Sequence, residues 1–295
     1  MQKAVVLAVL VTLAGAGSTG MCQQVSSPGS TARTVLKTST DREALERAAS
    51  TLARSGDEGD LALLGQLLRN REFLARLDDL SNLQTRHLSR VMAALAERLT
   101  PQILELCLTL AEDPVFVAEG DRKSFVLELL AKVKPMNEPT AAVFQRSNEE
   151  GYFAFNARLL ADNGSPRALG LFESMMLDKE VPAESRVECL HVSILPRRTQ
   201  PAILRAADRI LSRASERIIA ASVIESVFDF QQRWFGIESG ISESPAWQSA
   251  STDGLRSALA LADKALGRRD LRPALRGKVN RAREDIARTL TARQK

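Results

Sequence analysis

Apolar residues along this chain fall at the three- and four-residue intervals of helix faces, and the faces come in pairs whose second helix opens at a proline. Pro101, Pro139, Pro166 and Pro201 follow one another at steps of 38, 27 and 35 residues. Proline at a first helical position loses no hydrogen bond, because that amide has no partner within the helix. Each proline opens an apolar stripe: Ile103, Cys107 and Leu110; Ala142 and Phe144; Leu169, Phe172 and Met176; Leu204, Ala207 and Leu211. A step of roughly 30 to 45 residues suits helix pairs that bury their apolar faces only against neighbouring pairs.

The spacing predicts a first helix with Leu45, Ala48, Ala49 and Leu52 on one face, opened by Ser39 or Thr40 and broken by the cluster from Ser55 to Asp60. Leu61, Leu64, Leu67 and Leu68 return. A helix from Arg71 to Leu80 and a long one from Leu83 to Leu99 follow, then one from Lys123 to Val133, stopped by Pro135, and one marked by Tyr152, Phe155, Leu159 and Leu160, ended by Asp162-Asn163-Gly164. A further helix starts at Pro182. The pattern next predicts a helix carrying Ile219, Val223, Val227, Phe230 and Trp234 up to Gly236, a serine-rich loop containing Pro245, and a last pair whose second helix carries Leu271, Leu275, Val279, Ala282, Ile286 and Leu290.

The stretch from Asn163 to Ala207 reads Asn163-Gly164-Ser165-Pro166-Arg167-Ala168-Leu169, then Leu177-Asp178-Lys179-Glu180, then Pro182-Ala183-Glu184-Ser185-Arg186-Val187-Glu188-Cys189-Leu190. It resembles the HEAT-like, armadillo-type helical repeat family. In that family a short acidic turn leads into a first helix that carries an arginine beside its apolar positions. The resemblance covers some 160 to 200 residues. It implies an all-α, irregular α-solenoid of stacked antiparallel helix pairs, here closed by a C-terminal helical hairpin cap; the 27-residue step departs from a regular array.

Composition agrees with an all-helical core. Of 295 residues, 44% are hydrophobic but only 4% aromatic, which suits close-packed Leu, Ala and Val helices better than sheets. Lys3, the apolar run from Ala4 to Ala14 and the small residues from Gly15 to Gly20 have the order of a secretory signal, and the run is shorter than the roughly 20 residues that span a bilayer. The resulting division is a signal peptide at 1–20, a flexible polar linker at 21–40, the helical repeat domain at 41–236, a loop at 237–253 and a basic helical hairpin at 254–295. Cys22 is a candidate for lipidation, although Met21 stands where the lipoprotein motif has a small residue. Cys107 and Cys189 lie on apolar faces without metal-ligand spacing, and an oxidising compartment permits a disulfide between them.

Charge is uneven. The chain carries +4 overall, whereas 256–295 alone carries twelve basic and four acidic residues. Arg272, Arg276, Lys278, Arg281, Arg283 and Arg288 form a basic row that suits a protein partner or an anionic envelope lipid or polymer, or simply a solvated cap with Glu284 and Arg288 paired one turn apart. Nucleic acid is not expected, since no aromatic residues interleave that row. Phe230, Trp234 and Trp247, with Arg233 beside them, form a candidate aromatic pocket or cap the core.

Catalytic signals are sparse. His87 and His191 stand 104 residues apart, and no GxSxG, Walker or dinucleotide motif occurs. Glu149-Glu150 suits a carboxylate pair in a glycan cleft as well as a helix start. No catalytic residue, cofactor or metal is therefore expected. The reading is an exported, secreted or periplasmic, non-enzymatic scaffold that presents a helical surface to a protein partner. An envelope-binding module attached through the basic row is the alternative, and a hydrolase the third.

Overall fold

The computed structural model describes residues 28–77, 87–118, 121–229, 233–234, 237–238 and 246–294. These are helical apart from turns and one pair of two-residue strands, so the protein is all-α. In chain order the helices are α1 (Pro28–Thr38), α2 (Arg42–Ser55), α3 (Glu58–Leu68), α4 (Arg71–Leu77), α5 (His87–Ala96), α6 (Pro101–Glu112), α7 (Pro114–Val117), α8 (Asp121–Leu130) and α9 (Glu138–Ser147). A π-helical turn, Asn148–Tyr152, leads into α10 (Phe153–Asn163), followed by α11 (Pro166–Leu177) and α12 (Ala183–Ile194). After a 3-10 turn at Leu195–Arg197 come α13 (Pro201–Arg213) and α14 (Arg217–Phe228), then strands β1 (Arg233–Trp234) and β2 (Ile237–Glu238), which pair antiparallel. The chain closes with α15 (Ala246–Ser249), α16 (Thr252–Gly267) and α17 (Pro273–Arg293).

Local chemistry explains the boundaries. Pro101, Pro139, Pro166, Pro201 and Pro273 all occupy the first two helical positions, where no amide hydrogen is missed. Thr100 and Asn137 accept first-turn amides through their side chains, and Gly164 ends α10 in the left-handed region at φ 67°. Asp41, rather than Ser39 or Thr40, caps α2 by accepting the Glu43 amide, because Ser39 Oγ is engaged by the Asp41 amide.

Helix contacts run in two series. One passes from α2 to α5, α8, α10, α12, α14 and α17; the other from α3 to α6, α9, α11, α13 and α16. Leucine and alanine faces fill the space between them in one continuous apolar core. Several successive members of both series are bridged by polar side-chain pairs. Glu46 of α2 holds Arg90 (3.1 Å) and His87 Nδ1 (2.5 Å) of α5, Glu112 holds Arg146, Glu128 holds Arg158, Glu138 holds Arg167, and Glu173 holds Arg209 Nε (2.8 Å). Asp208 meets Lys264 (2.5 Å) and Asp229 meets Lys278 (2.6 Å) farther along. Apart from the buried Glu46–His87 contact, these part-exposed pairs individually add about 1 kcal/mol or less, so the apolar contacts supply the cohesion and the pairs fix relative placement.

Four expectations are corrected. Residues 28–38 of the expected linker are helix α1, with Ala32 and Leu36 buried one turn apart against α2. The helix expected to run to Gly236 stops at Phe228, where Asp229 caps it in an extended conformation, and Arg233–Trp234 forms a strand instead. The expected loop at 237–253 contains β2, α15 and the first turn of α16. In α9, Ala141 rather than Ala142 is buried, on the face shared by Thr140, Phe144 and Ser147.

Candidate functional site

A cleft of about 510 Å³ opens between α12, α14 and the turn joining α16 to α17. Val187 of α12 forms one wall, Ile218, Ala221 and Ile224 of α14 form the floor, and Leu271 and Leu275 close the far side. Helical periodicity brings 218, 221, 222 and 225 onto one stripe of α14 facing the cleft, with the fully buried Ile224 at its edge. Ile218 is 49% exposed there; Leu99, at 37%, is the other large apolar side chain exposed among the described residues.

The charged groups around this floor are unequally satisfied. Arg268 grips Asp270 with two bonds of 3.0 and 2.9 Å, which holds the Asp270 carboxyl below the usual aspartate range. Arg217 Nη2 donates to the Asp270 carbonyl at 2.9 Å, fixing the α16–α17 turn against the start of α14. Arg276 donates to the carbonyls of Leu266 and Arg268, both at 2.6 Å, and so satisfies the end of α16. Arg272, at the N-cap of α17, is exposed on the rim; its carbonyl accepts the Arg276 amide, and its guanidinium has no hydrogen-bond or ion-pair partner among the described residues. Glu225 lines the cleft half-buried, likewise without a partner among them. Burial pushes its carboxyl above the usual glutamate range, Asp229 adds to this, and Arg272 and Lys278 oppose it.

Ser222 and His191 meet behind the floor, with Oγ 3.2 Å from Nε2. Burial lowers the imidazole pKa, so the ring is neutral near pH 7. Ser222 is only 2% exposed and sits in mid-helix, where the backbone amides are already committed to the helical ladder and cannot cradle an oxyanion. The pair therefore reads as a packed hydrogen bond between α12 and α14.

The expected basic row is divided by the fold. Arg276, Lys278 and Arg283 turn back onto α16 or the end of α14: Arg276 as above, Lys278 onto Asp229 and Arg283 onto Asp263. Arg288 pairs with Asp285 three residues away, in place of the expected Glu284. Arg281 stays exposed, and only Arg272 reaches the cleft. Of the expected aromatic pocket, Phe230 and the Trp234 side chain lie outside the described residues, as does Cys22. Trp247 is 6% exposed and packs on Phe228 with ring centroids 6.3 Å apart, an inward anchor for the segment before α16. Cys107 and Cys189 are both free and buried, and burial pushes each thiol up to about 12. Glu149 and Glu150 fall in the π-helical turn, where Glu150 pairs with Lys123.

Sequence reasoning missed the cleft because its walls come from positions 187, 217–225 and 268–275, which no local pattern joins. The exposed Ile218 beside Arg217 was the one available signal. Among the described residues no helix is long and apolar enough to cross a membrane, and no three His, Cys, Asp or Glu side chains gather as a metal site. Compared with protein-family models, curated proteins and solved structures, the chain matches none.

Proposed function

We propose that this chain is an exported, non-enzymatic interaction scaffold, an irregular HEAT-like α-solenoid whose surface receives a protein partner. The observation that carries the reading is the pair of helix series, bridged at several of their steps by charged pairs. Such an arrangement lets each helix pair bury its apolar face on its neighbours and leaves a long exposed flank for recognition. The α16–α17 pair, polar on its outer side, suits a terminal cap. Export rests on the basic, apolar and small-residue order of 3–20. Attachment to an anionic envelope through the basic row draws less support, because Arg276, Lys278 and Arg283 are already engaged within the fold.

Small-angle scattering tests the architecture. A compact chain of this length has a radius of gyration of about 19 Å, and the stack is expected to exceed about 24 Å. A value near the compact figure overturns the solenoid. Immobilised protein is expected to retain a protein from envelope extract at both about 0.15 and about 0.5 M salt. Retention of lipid or polymer alone, lost at the higher salt, overturns the scaffold reading.

A further inference from the structure

The cleft beside α14 offers three kinds of contact to one ligand. Its floor and far wall are aliphatic, from Ile218, Ala221, Ile224, Leu271 and Leu275. Its rim carries Arg217 and Arg272, the first with a single described bond through Nη2 and the second with none from its guanidinium among the described residues. Its interior holds Glu225, an acceptor with no donor among the described residues. Arg268 offers less, because the Nε and Nη2 edge of its guanidinium is taken by Asp270.

A ligand that satisfies all three must combine a negative group, aliphatic surface and hydrogen-bond donors. Inorganic phosphate has the first alone and would leave the Ile218 floor wet. A lipid headgroup with its acyl chains supplies the first two, but drives hydrocarbon past the Glu225 carboxylate, which burial of a charge without a donor disfavours. An extended peptide supplies all three: a side-chain carboxylate for the arginines, an aliphatic side chain for the floor and a backbone N–H for Glu225. The volume of about 510 Å³ lies within the roughly 300–1,000 Å³ range of ligand clefts and holds about three to four residues of peptide.

We infer that the cleft between α12, α14 and the α16–α17 turn captures a short extended peptide that carries an acidic and an aliphatic side chain. This rests on the scaffold reading and names the chemistry of the partner segment. Both rim residues and the floor residue are surface groups, so they can be changed without opening the core.

The test uses the full-length chain and a fluorescein-labelled hexapeptide of alternating glutamate and leucine, followed by fluorescence anisotropy. Saturable binding is expected, weakened at least tenfold by Arg272→Ala and by Ile218→Ser, with circular dichroism confirming that each variant stays folded. A lysine–leucine peptide is expected to bind at least tenfold more weakly. No binding at millimolar peptide, equal binding of the lysine peptide, or binding indifferent to both substitutions overturns the inference. So does competition by inorganic phosphate, or by phosphatidylglycerol vesicles, at the concentration of the peptide itself. If the peptide fails while the immobilised protein still retains a salt-resistant protein from extract, the cleft assignment falls and the scaffold reading stands; if both fail, both fall.

Discussion

Removing the Arg186 side chain tests how adjacent helices of one series are held. Arg186 is 2% exposed, and its guanidinium donates to the carbonyls of Val181 (3.0 Å) and Met176 (3.4 Å) and in a fork to Glu216 (2.6 and 3.1 Å). The bonds tie the end of α11 and the acidic turn to the start of α14. Arg186→Ala strands two carbonyls, of which the Met176 one belongs to a buried residue, at a cost of about 2 kcal/mol together. The space left by the stem adds about 1–2 kcal/mol. The expected loss is therefore about 3–4 kcal/mol, and Arg186→Met, which refills the space without donors, should lose about 2 kcal/mol. Glu216 is part-exposed, so Glu216→Gln, which removes the charge facing buried Arg186 but keeps an acceptor oxygen, should lower the unfolding midpoint by clearly less than Arg186→Ala. Urea unfolding followed by circular dichroism reads all three; at a slope of about 3 kcal/mol per molar, Arg186→Ala should shift the midpoint by roughly 1 M. Equal shifts for Arg186→Ala and Glu216→Gln would refute the reasoning, because the ion pair rather than the carbonyl bonds would then carry the stabilisation.

Asn163 makes four bonds, donating to the Ala131 and Val133 carbonyls (2.7 and 2.8 Å) and accepting from Ser165 N and Oγ (3.1 and 2.5 Å). Asn163→Asp, which cannot donate, should cost about 2–4 kcal/mol in urea unfolding, and a loss under about 1 kcal/mol would contradict the clamp. A Cβ at Gly254 would stand 2.4 Å from the Thr199 carbonyl oxygen, so Gly254→Ala should cost about 2–3 kcal/mol, whereas Gly267→Ala, with open space around it, should be neutral or slightly stabilising. Glu225 has a raised pKa in the fold, so its charged form opposes folding. With Asp229, Arg272, Lys278 and His191 left in place, Glu225→Gln should be the more stable chain above that raised pKa, and the gain should vanish as pH falls below the usual glutamate range. A constant gain across pH would show that the effect is packing instead. Cys107 and Cys189, buried and with thiols near 12, should resist a thiol reagent at pH 8 until the chain is unfolded, and rapid native labelling would contradict their burial.

The features legible in the sequence were those fixed within one turn of helix. Pro101, Pro166 and Pro201 opened helices because proline chemistry at a first helical position is local, and Gly164 closed one because only its own φ matters. Helix α1 escaped notice because only Ala32 and Leu36 are buried and Val35 partly so, within a segment of serine, threonine and glycine. The expected extension of α14 failed for the converse reason: Phe230 and Trp234 continue the helical spacing, but spacing records polarity and not where the backbone turns at Asp229. Arg186 could be placed beside an acidic turn from sequence, but not its burial, since its partner Glu216 lies 30 residues on. Distance likewise hid the tie from Lys278 to Asp229, 49 residues away, and Arg276 turns onto backbone carbonyls that no side-chain pattern marks, so a basic row on paper became partly internal connections.

Charge at the flanks and hydrocarbon along the middle divide the mechanics of the proposed stack. Bending strains a rod in proportion to distance from its neutral axis, so flank pairs such as Glu112 with Arg146 and Glu138 with Arg167 resist curvature far more than their small energies suggest. Dissolved ions screen those pairs and leave the leucine and alanine contacts untouched. In such a stack flexural stiffness and thermal cohesion would separate: rising ionic strength is expected to soften it while its melting temperature barely moves.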